Sequence, residues 1–243
     1  MQQPTQDGLE RFRKLARLIP GGMAFGRWLH RVLSPHQRSI TSTKRAHREA
    51  LFQPFPTTLD ERYPELFDAL QDRLNHIANP RLLSFGCASG EEIRALRRRF
   101  PTALLTGIDA NRHAIHKARR ADKSRLSDYR VDTAPADGDQ FHAILAMAVF
   151  RHGDIDKTRP DNCEAILEFS KFQTWIAKLD ACLEPGGYLA IWHANFRFSD
   201  TAAFSRYEAD TLLAPQMSQA TLYGPDNRRI DDPAPLALIY RKL

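Results

Sequence analysis

From Pro80 onward, short apolar runs alternate with longer stretches whose apolar residues recur three and four positions apart. The first kind of spacing predicts buried strands and the second amphipathic helices. RLLSF (81–85) reads as a first strand, followed by a helix from about Glu91 to Phe100 that carries Ile93, Leu96 and Phe100 on one face. ALLTGID (103–109) predicts the second strand and NRHAIHKARRA (111–121) the second helix, with Asn111 as its N-cap. DYRVD (128–132) is a short third strand and FHAILAMAVF (141–150) a buried fourth. Only TAPADGDQ separates those two, too little for a crossover helix. AILEFSKFQTWIAKLDACL (165–183) predicts a long helix, EPGG (184–187) a turn and YLAIWHA (188–194) a fifth strand.

The tail changes style. QATLYG (219–224) and PLALIYRKL (235–243) read as two strands joined by a turn-rich connection, a hairpin rather than a crossover. Strands alternating with helices predict an α/β domain with a mostly parallel sheet. The chain has 243 residues, enough for a full core without disulfides or metals. Cys87, Cys163 and Cys182 are odd in number and widely spaced, so they read as reduced, buried thiols of a cytoplasmic protein, with no metal site.

Charge is uneven. Residues 1–50 hold ten Lys/Arg against three acids, a net +7, whereas the remainder comes to −1. Such an arm suits nucleic acid, an anionic membrane or an acidic partner surface, or lies solvated on its own domain. No stretch approaches the ~20 apolar residues of a transmembrane span. Pro20-Gly21-Gly22 interrupts the apolar part of LARLIPGGMAFGRWLHRVL, so an amphipathic arm fits it better than a signal peptide.

The chemistry gathers at LLSFGCASGEE (82–92). In open α/β sheets ligands bind beyond the carboxyl ends of the strands. Small residues from Gly86 to Gly90 let the backbone approach a ligand, and the N–H groups opening the next helix favour an anion. Asp109 ends the next strand, where a carboxylate can accept hydrogen bonds from ribose hydroxyls. A dinucleotide fingerprint starting at Gly86 needs glycines at 88 and 91, where this chain has Ala88 and Glu91.

The glycine turn, Asp109, Asp132 ending the third strand and EPGG before a strand together resemble the class I S-adenosylmethionine-dependent methyltransferases over residues 80–243. The resemblance implies a Rossmann-like sheet with a C-terminal antiparallel hairpin, preceded by a helical basic segment. Its cofactor would be S-adenosylmethionine, leaving as S-adenosylhomocysteine. The turn Phe85, Gly86, Cys87, Ala88, Ser89, Gly90 would hold the methionine part, and Asp109 with Ala110 and Asn111 the ribose. Asp132 and Thr133 would flank the adenine, and Met147 and Ala148 would line the cofactor. The amino half is similar to the chemotaxis-receptor methyltransferases, through Thr58, Arg62 and Phe67 at their spacing and GCASGEE (86–92) for their turn. That likeness implies Thr58 and Arg62 at the methionine end and Glu91 at its amino group. It weakens downstream, where Met147-Ala148 and His193-Ala194-Asn195 replace the family's elements, so a receptor glutamate is not the expected acceptor. The division expected is 1–75 as a helical basic and cofactor-capping segment and 76–243 as the methyltransferase domain.

Methyl transfer from a sulfonium is an in-line displacement that depends on positioning. A base is needed only where the acceptor must lose a proton. His152 and His193, leaving the fourth and fifth strands, are the candidate bases, with Arg151 and Asn195 beside them and Trp192, Phe196 and Phe198 as candidate walls. No D/N-P-P-Y/F element and no Pro-Cys pair follows the fourth strand, which argues against amide, adenine-amino and cytosine-carbon acceptors. The expected acceptor is an oxygen or nitrogen atom of a small molecule. The alternatives are a macromolecule (protein carboxylate or RNA) docked by the basic arm, or a scaffold that keeps the fold without catalysis.

Overall fold

The computed structural model describes residues 34–47, 52, 61–212, 220–231 and 236–243. The elements in chain order are α1 (Pro35–Ala46), α2 (Pro64–Leu74), β1 (Arg81–Phe85), α3 (Glu91–Arg99), β2 (Leu104–Asp109), α4 (Arg112–Ala121) and β3 (Ser127–Val131). They continue with β4 (Phe141–Met147), α5 (Gly153–Thr158), α6 (Phe169–Ala181), β5 (Leu183–Trp192), β6 (Tyr207–Leu212) and β7 (Ala237–Lys242). The seven strands form one sheet in the order β3-β2-β1-β4-β5-β7-β6. β1 to β5 run parallel, and β7 lies antiparallel between β5 and β6. The chain winds outward from β1 to β3, then returns to lay β4 against the other side of β1, so a crevice opens above the β1/β4 boundary.

Alternation along each strand divides the core between the two faces of the sheet. Leu82, Leu145, Ala190 and Trp192 share one face with Phe67, Leu70 and Leu74 of α2, Ile93 and Leu96 of α3, and Ile115 of α4. Leu83, Phe85, Ile144 and Ile191 share the other with Phe172, Trp175, Ile176 and Leu179 of α6. The buried residues of α6 recur three or four apart, which keeps them on one side of a 3.6-residue helix. In α3, Glu91 and Glu92 open the first turn and Arg97, Arg98 and Arg99 close the last, so the charges complement the helix dipole. The side chain of Asn111 caps α4 by accepting from the Ala114 N–H at 3.0 Å. It also accepts from the hydroxyl of Ser39 at 2.5 Å, which ties α1 to the start of α4.

The parallel portion follows the expected strands and helices within a few residues, and β3 and β4 are joined without a helix. The tail is a correction: β7 pairs with Tyr207–Leu212, not with residues 219–224. Tyr223 makes only isolated bridges, to Phe196 and Arg229. Its ring is fully buried and its hydroxyl donates to the Pro160 carbonyl at 2.8 Å, so the apolar pattern of that stretch serves loop packing. Glu184–Gly187 leave the ladder, as a turn would, but the strand begins before them, with Leu183 opposite Phe141. Cys87 and Cys163 are buried, whereas Cys182 is only partly so. Among the described residues no helix is long and apolar enough to cross a membrane.

Candidate active site

The turn after β1 and the acid after β2 meet. The backbone N–H of Ala88 donates to Asp109 Oδ2 at 2.9 Å, and that of Asn111 donates to Oδ1 at 2.7 Å. Each carboxylate oxygen keeps lone-pair capacity beyond the one N–H it accepts. Burial raises the Asp109 pKa, and the Asn111 and Ala88 N–H groups oppose the rise. The bareness of the turn follows from backbone conformation and close packing. Gly86 has φ +79°, and a Cβ there would lie 2.5 Å from Val149 Cγ2. Gly90 has φ +83°, and its missing Cβ position is filled by Tyr129 at 2.9 Å. Both glycines are required by their left-handed backbone and by the chain's own packing. Phe85 turns its ring toward Phe150 and Trp175, and the Cys87 thiol, raised in pKa by burial, sits near Gly107. These two side chains face the core, so only their backbone borders the crevice.

Glu91 Oε1 accepts from the Ser89 hydroxyl at 3.0 Å and lies 3.3 Å from Arg94, while its Oε2 is buried without a partner. Gly90 caps α3 without a side-chain hydrogen bond. Asp132 is exposed beside the end of β2 and accepts from the Thr133 N–H at 2.7 Å. Met147 and Ala148 are buried at the exit of β4, where the Ala148 N–H donates to the Trp192 carbonyl at 2.8 Å. Thr58 lies outside the described residues, and Arg62 is exposed with its guanidinium 5.3 Å from the centre of the Tyr63 ring.

The exits of β4 and β5 are bound together. The Asn195 N–H donates to the Phe150 carbonyl at 2.8 Å, and Asn195 Oδ1 accepts from the His152 N–H at 2.7 Å. Asn195, fully buried, also donates to the Thr221 carbonyl at 2.8 Å. Arg151 pairs through Nη2 with Asp156 of α5. His152 Nδ1 accepts from the Asp154 N–H at 3.2 Å and caps α5, and burial lowers its pKa. His193, with φ +52°, lies 4.5 Å from Trp192 and 6.3 Å from Tyr63 between ring centres. Burial, then the guanidinium charges of Arg151 and Arg62, lower its imidazole to about 4, with Asp156 opposing. The ring is therefore neutral at neutral pH and a weak base.

Two residues escaped the sequence reading. Tyr63 enters just before α2; its pKa is pushed up to about 12 by burial, and its hydroxyl is buried without a partner. Glu92 reaches to the Ser84 hydroxyl of β1, which donates to it at 2.7 Å. Burial pushes that carboxyl up to about 7, against the Ser84 bond and the Arg62 charge. The signal for Glu92 was the second acid of GCASGEE, which stood beside a residue already assigned a role.

A glycine turn bonded to the acid that ends the neighbouring strand, under the order β3-β2-β1-β4-β5-β7-β6, is the arrangement of a class I methyltransferase. S-adenosylmethionine suits its donor set: Glu91 Oε2 offers an unpaired buried acceptor for an ammonium, α3 an N-terminus without a side-chain cap, and Asp109 spare acceptor capacity for hydroxyls.

The family profile described as a methyltransferase domain matches residues 58–219. The chain belongs to this methyltransferase domain family, with the Rossmann-like fold of the S-adenosylmethionine-dependent enzymes. Similar solved structures include the plantazolicin methyltransferase BpumL in complex with SAH, at 16% identity and a TM-score of 0.42 over 72% of this chain and 60% of that one. TehB from Haemophilus influenzae is similar at 14% identity and a TM-score of 0.44 over 72% and 62%. Coclaurine N-methyltransferase bound to N-methylheliamine and SAH matches at 14% identity and a TM-score of 0.38 over 56% and 36%. The chain thus spans about three fifths of the length of the plantazolicin enzyme. No curated protein sequence matches it.

Proposed function

We propose that this protein transfers a methyl group from S-adenosylmethionine to an oxygen or nitrogen atom of a small-molecule acceptor. The observation that carries the reading is the 2.9 Å bond from the Ala88 N–H to Asp109, which brings the turn and the acid to one side of one crevice. When bound there, the cofactor supplies an electrophilic methyl group on a sulfonium.

The chain's own residues divide into three groups. Gly86–Gly90 and the first turn of α3 hold the amino-acid end, with Glu91 toward its amino group and Arg62 and Thr58 toward its carboxylate. The roles of Thr58, Arg62 and Glu91 rest on the likeness to the chemotaxis-receptor enzymes. Asp109 with Ala110 and Asn111 holds the sugar, Asp132 and Thr133 border the base, and Met147 and Ala148 close the floor. His193 and, more distantly, His152 stand on the acceptor side. With His193 lowered to about 4 and His152 engaged as a helix cap, catalysis rests on positioning more than on proton removal. Residues 1–75 act as a capping segment on a methyltransferase domain of 76–243. The free cysteines support a reducing compartment such as the cytoplasm.

Titration calorimetry with S-adenosylmethionine and S-adenosylhomocysteine tests the reading. Binding of both is expected, and its loss in Asp109→Ala. A chain that binds neither is not a methyltransferase of this kind.

A further inference from the structure

Among the described residues, the acceptor side of the crevice holds donors that meet no acceptor. The Tyr63 hydroxyl is buried and unpartnered on a residue only 8% exposed. Arg151 Nε is likewise buried and unpartnered, although Nη2 of the same group reaches Asp156. His193 lies 6.3 Å from the Tyr63 ring, and the charge of Arg151 acts on both residues. The guanidinium of Arg62 lies 5.3 Å from the centre of the Tyr63 ring. An unmet buried donor is destabilising, so a chain that keeps two beside His193 gains by receiving an acceptor atom there.

The charge of the place narrows that atom's chemistry. With Arg62 given to the cofactor's carboxylate, the guanidinium left to the acceptor is that of Arg151, whose Nη2 pairs with Asp156 while its Nε–H stays open, and Glu92 is held by Ser84. Open donors without a free acceptor beside them suit an anion and not an ammonium. From this arrangement we infer that the acceptor atom is an anionic oxygen, a carboxylate or phenolate, held by Tyr63 O–H and Arg151 Nε–H. The inference rests on the methyl-transfer reading and narrows its acceptor. The step balances without a base. A lone pair of the anionic oxygen forms the new O–C bond, and the pair of the breaking C–S bond stays on sulfur. The negative charge of the oxygen and the positive charge of the sulfonium cancel, and no proton leaves. A neutral, weakly basic His193 fits that requirement.

A small-molecule extract of the producing cells, separated at pH 7 on anion- and cation-exchange resins, is offered to the full chain with methyl-labelled S-adenosylmethionine. Label is expected in the anion-retained fraction. Release of volatile methanol in mild alkali identifies a carboxylate acceptor, and alkali-stable label a phenolate. Arg151→Gln and Tyr63→Phe should each raise KM for that fraction ten- to a hundredfold. Calorimetric affinity for S-adenosylhomocysteine should stay within twofold, and Arg151→Lys should recover part of the loss. Label in the cation-retained or unretained fraction overturns the inference, as does a fall in S-adenosylhomocysteine affinity that matches the rise in KM, which would assign the two donors to the cofactor. If the chain binds S-adenosylhomocysteine but labels no fraction, the small-molecule acceptor is wrong and this inference falls with it. If it binds none, the methyl-transfer reading itself has failed.

Discussion

Gly86 is the position where the geometry makes its sharpest demand. Its φ of +79° lies in the left-handed region, and a Cβ would stand 2.5 Å from Val149 Cγ2. Gly86→Ala therefore meets two separable costs. The backbone conformation costs a non-glycine residue about 1–2 kcal/mol. Forcing a methyl against Val149 adds an overpacking cost of about 1–3 kcal/mol. The sum, roughly 2–5 kcal/mol, is a large part of a typical domain's stability of about 5–15 kcal/mol. Val149→Ala removes the atom in the way and leaves the backbone cost untouched. Alone it costs about 1 kcal/mol or somewhat more, since Val149 is partly buried. In Gly86→Ala/Val149→Ala the two changes should couple favourably by about 1–3 kcal/mol, with about 1–2 kcal/mol of strain remaining. Urea unfolding followed by tryptophan fluorescence at constant slope measures all four corners of the cycle. A coupling below ~0.5 kcal/mol would refute the argument, because it would mean that Val149 is not what excludes a side chain at Gly86.

Four further outcomes follow from named contacts. Glu92 has a folded pKa raised to about 7 from 4.5, so the stability it lends is complete below 4.5 and is lost as pH rises through 7. Glu92→Gln should remove that decline, at most ~3 kcal/mol, from unfolding measured between pH 5 and 8. His193 acts in the opposite sense: its folded value of about 4 lies below 6.5, so its contribution is present above 6.5 and lost as pH falls toward 4. An NMR titration should accordingly show no protonation of His193 near 6.5, and a normal midpoint there would contradict its burial among guanidiniums. Asp109→Asn puts an amide N–H against the N–H of Ala88 or Asn111 and removes a charged acceptor; calorimetry should show S-adenosylhomocysteine binding at least tenfold weaker. Asn195→Ala leaves the partly buried His152 N–H and Thr221 carbonyl without their partner, and thermal unfolding should register a loss of about 1–3 kcal/mol.

Strands β1, β2 and β4 were legible because each is a short apolar run bounded by small or acidic residues and is buried along most of its length. The C-terminal strands were not. TLYG carries the apolar pattern of a strand, yet Tyr223 is buried as a loop anchor, while YEADTL, which pairs with β7, has the mixed polarity of an edge. The glycine turn and Asp109 could be found from sequence because a strand-end acid and a bare turn are local signals. Tyr63 and Glu92 could not, since a pattern does not reveal whether a buried hydroxyl finds a partner or which of two adjacent acids turns inward. Helix α1 falls within the basic segment expected to be helical, whereas α5 was missed because a single capped turn or so shows no apolar stripe.

Backbone strain marks the same edge independently. Of the six non-glycine residues with positive φ among those described, three are Ala88 (+47°), Ala148 (+58°) and His193 (+52°), one at each exit of β1, β4 and β5. Each costs about 1–2 kcal/mol, and such conformations persist only where neighbouring bonds impose them. Here the bonds are visible: Ala88 N–H to Asp109, Ala148 N–H to the Trp192 carbonyl, and Asn195 N–H to the Phe150 carbonyl just beyond His193. None of the three residues is a glycine, so each holds a side chain in a direction that a relaxed strand exit would not give. At β5 that side chain is His193, brought beside Tyr63 from a segment that precedes the whole sheet. Strain at three adjacent strand ends, unmet donors between two of them and a helix drawn in from upstream converge on one crevice. An α/β sheet folding only for stability has no reason to concentrate these costs on its carboxyl edge.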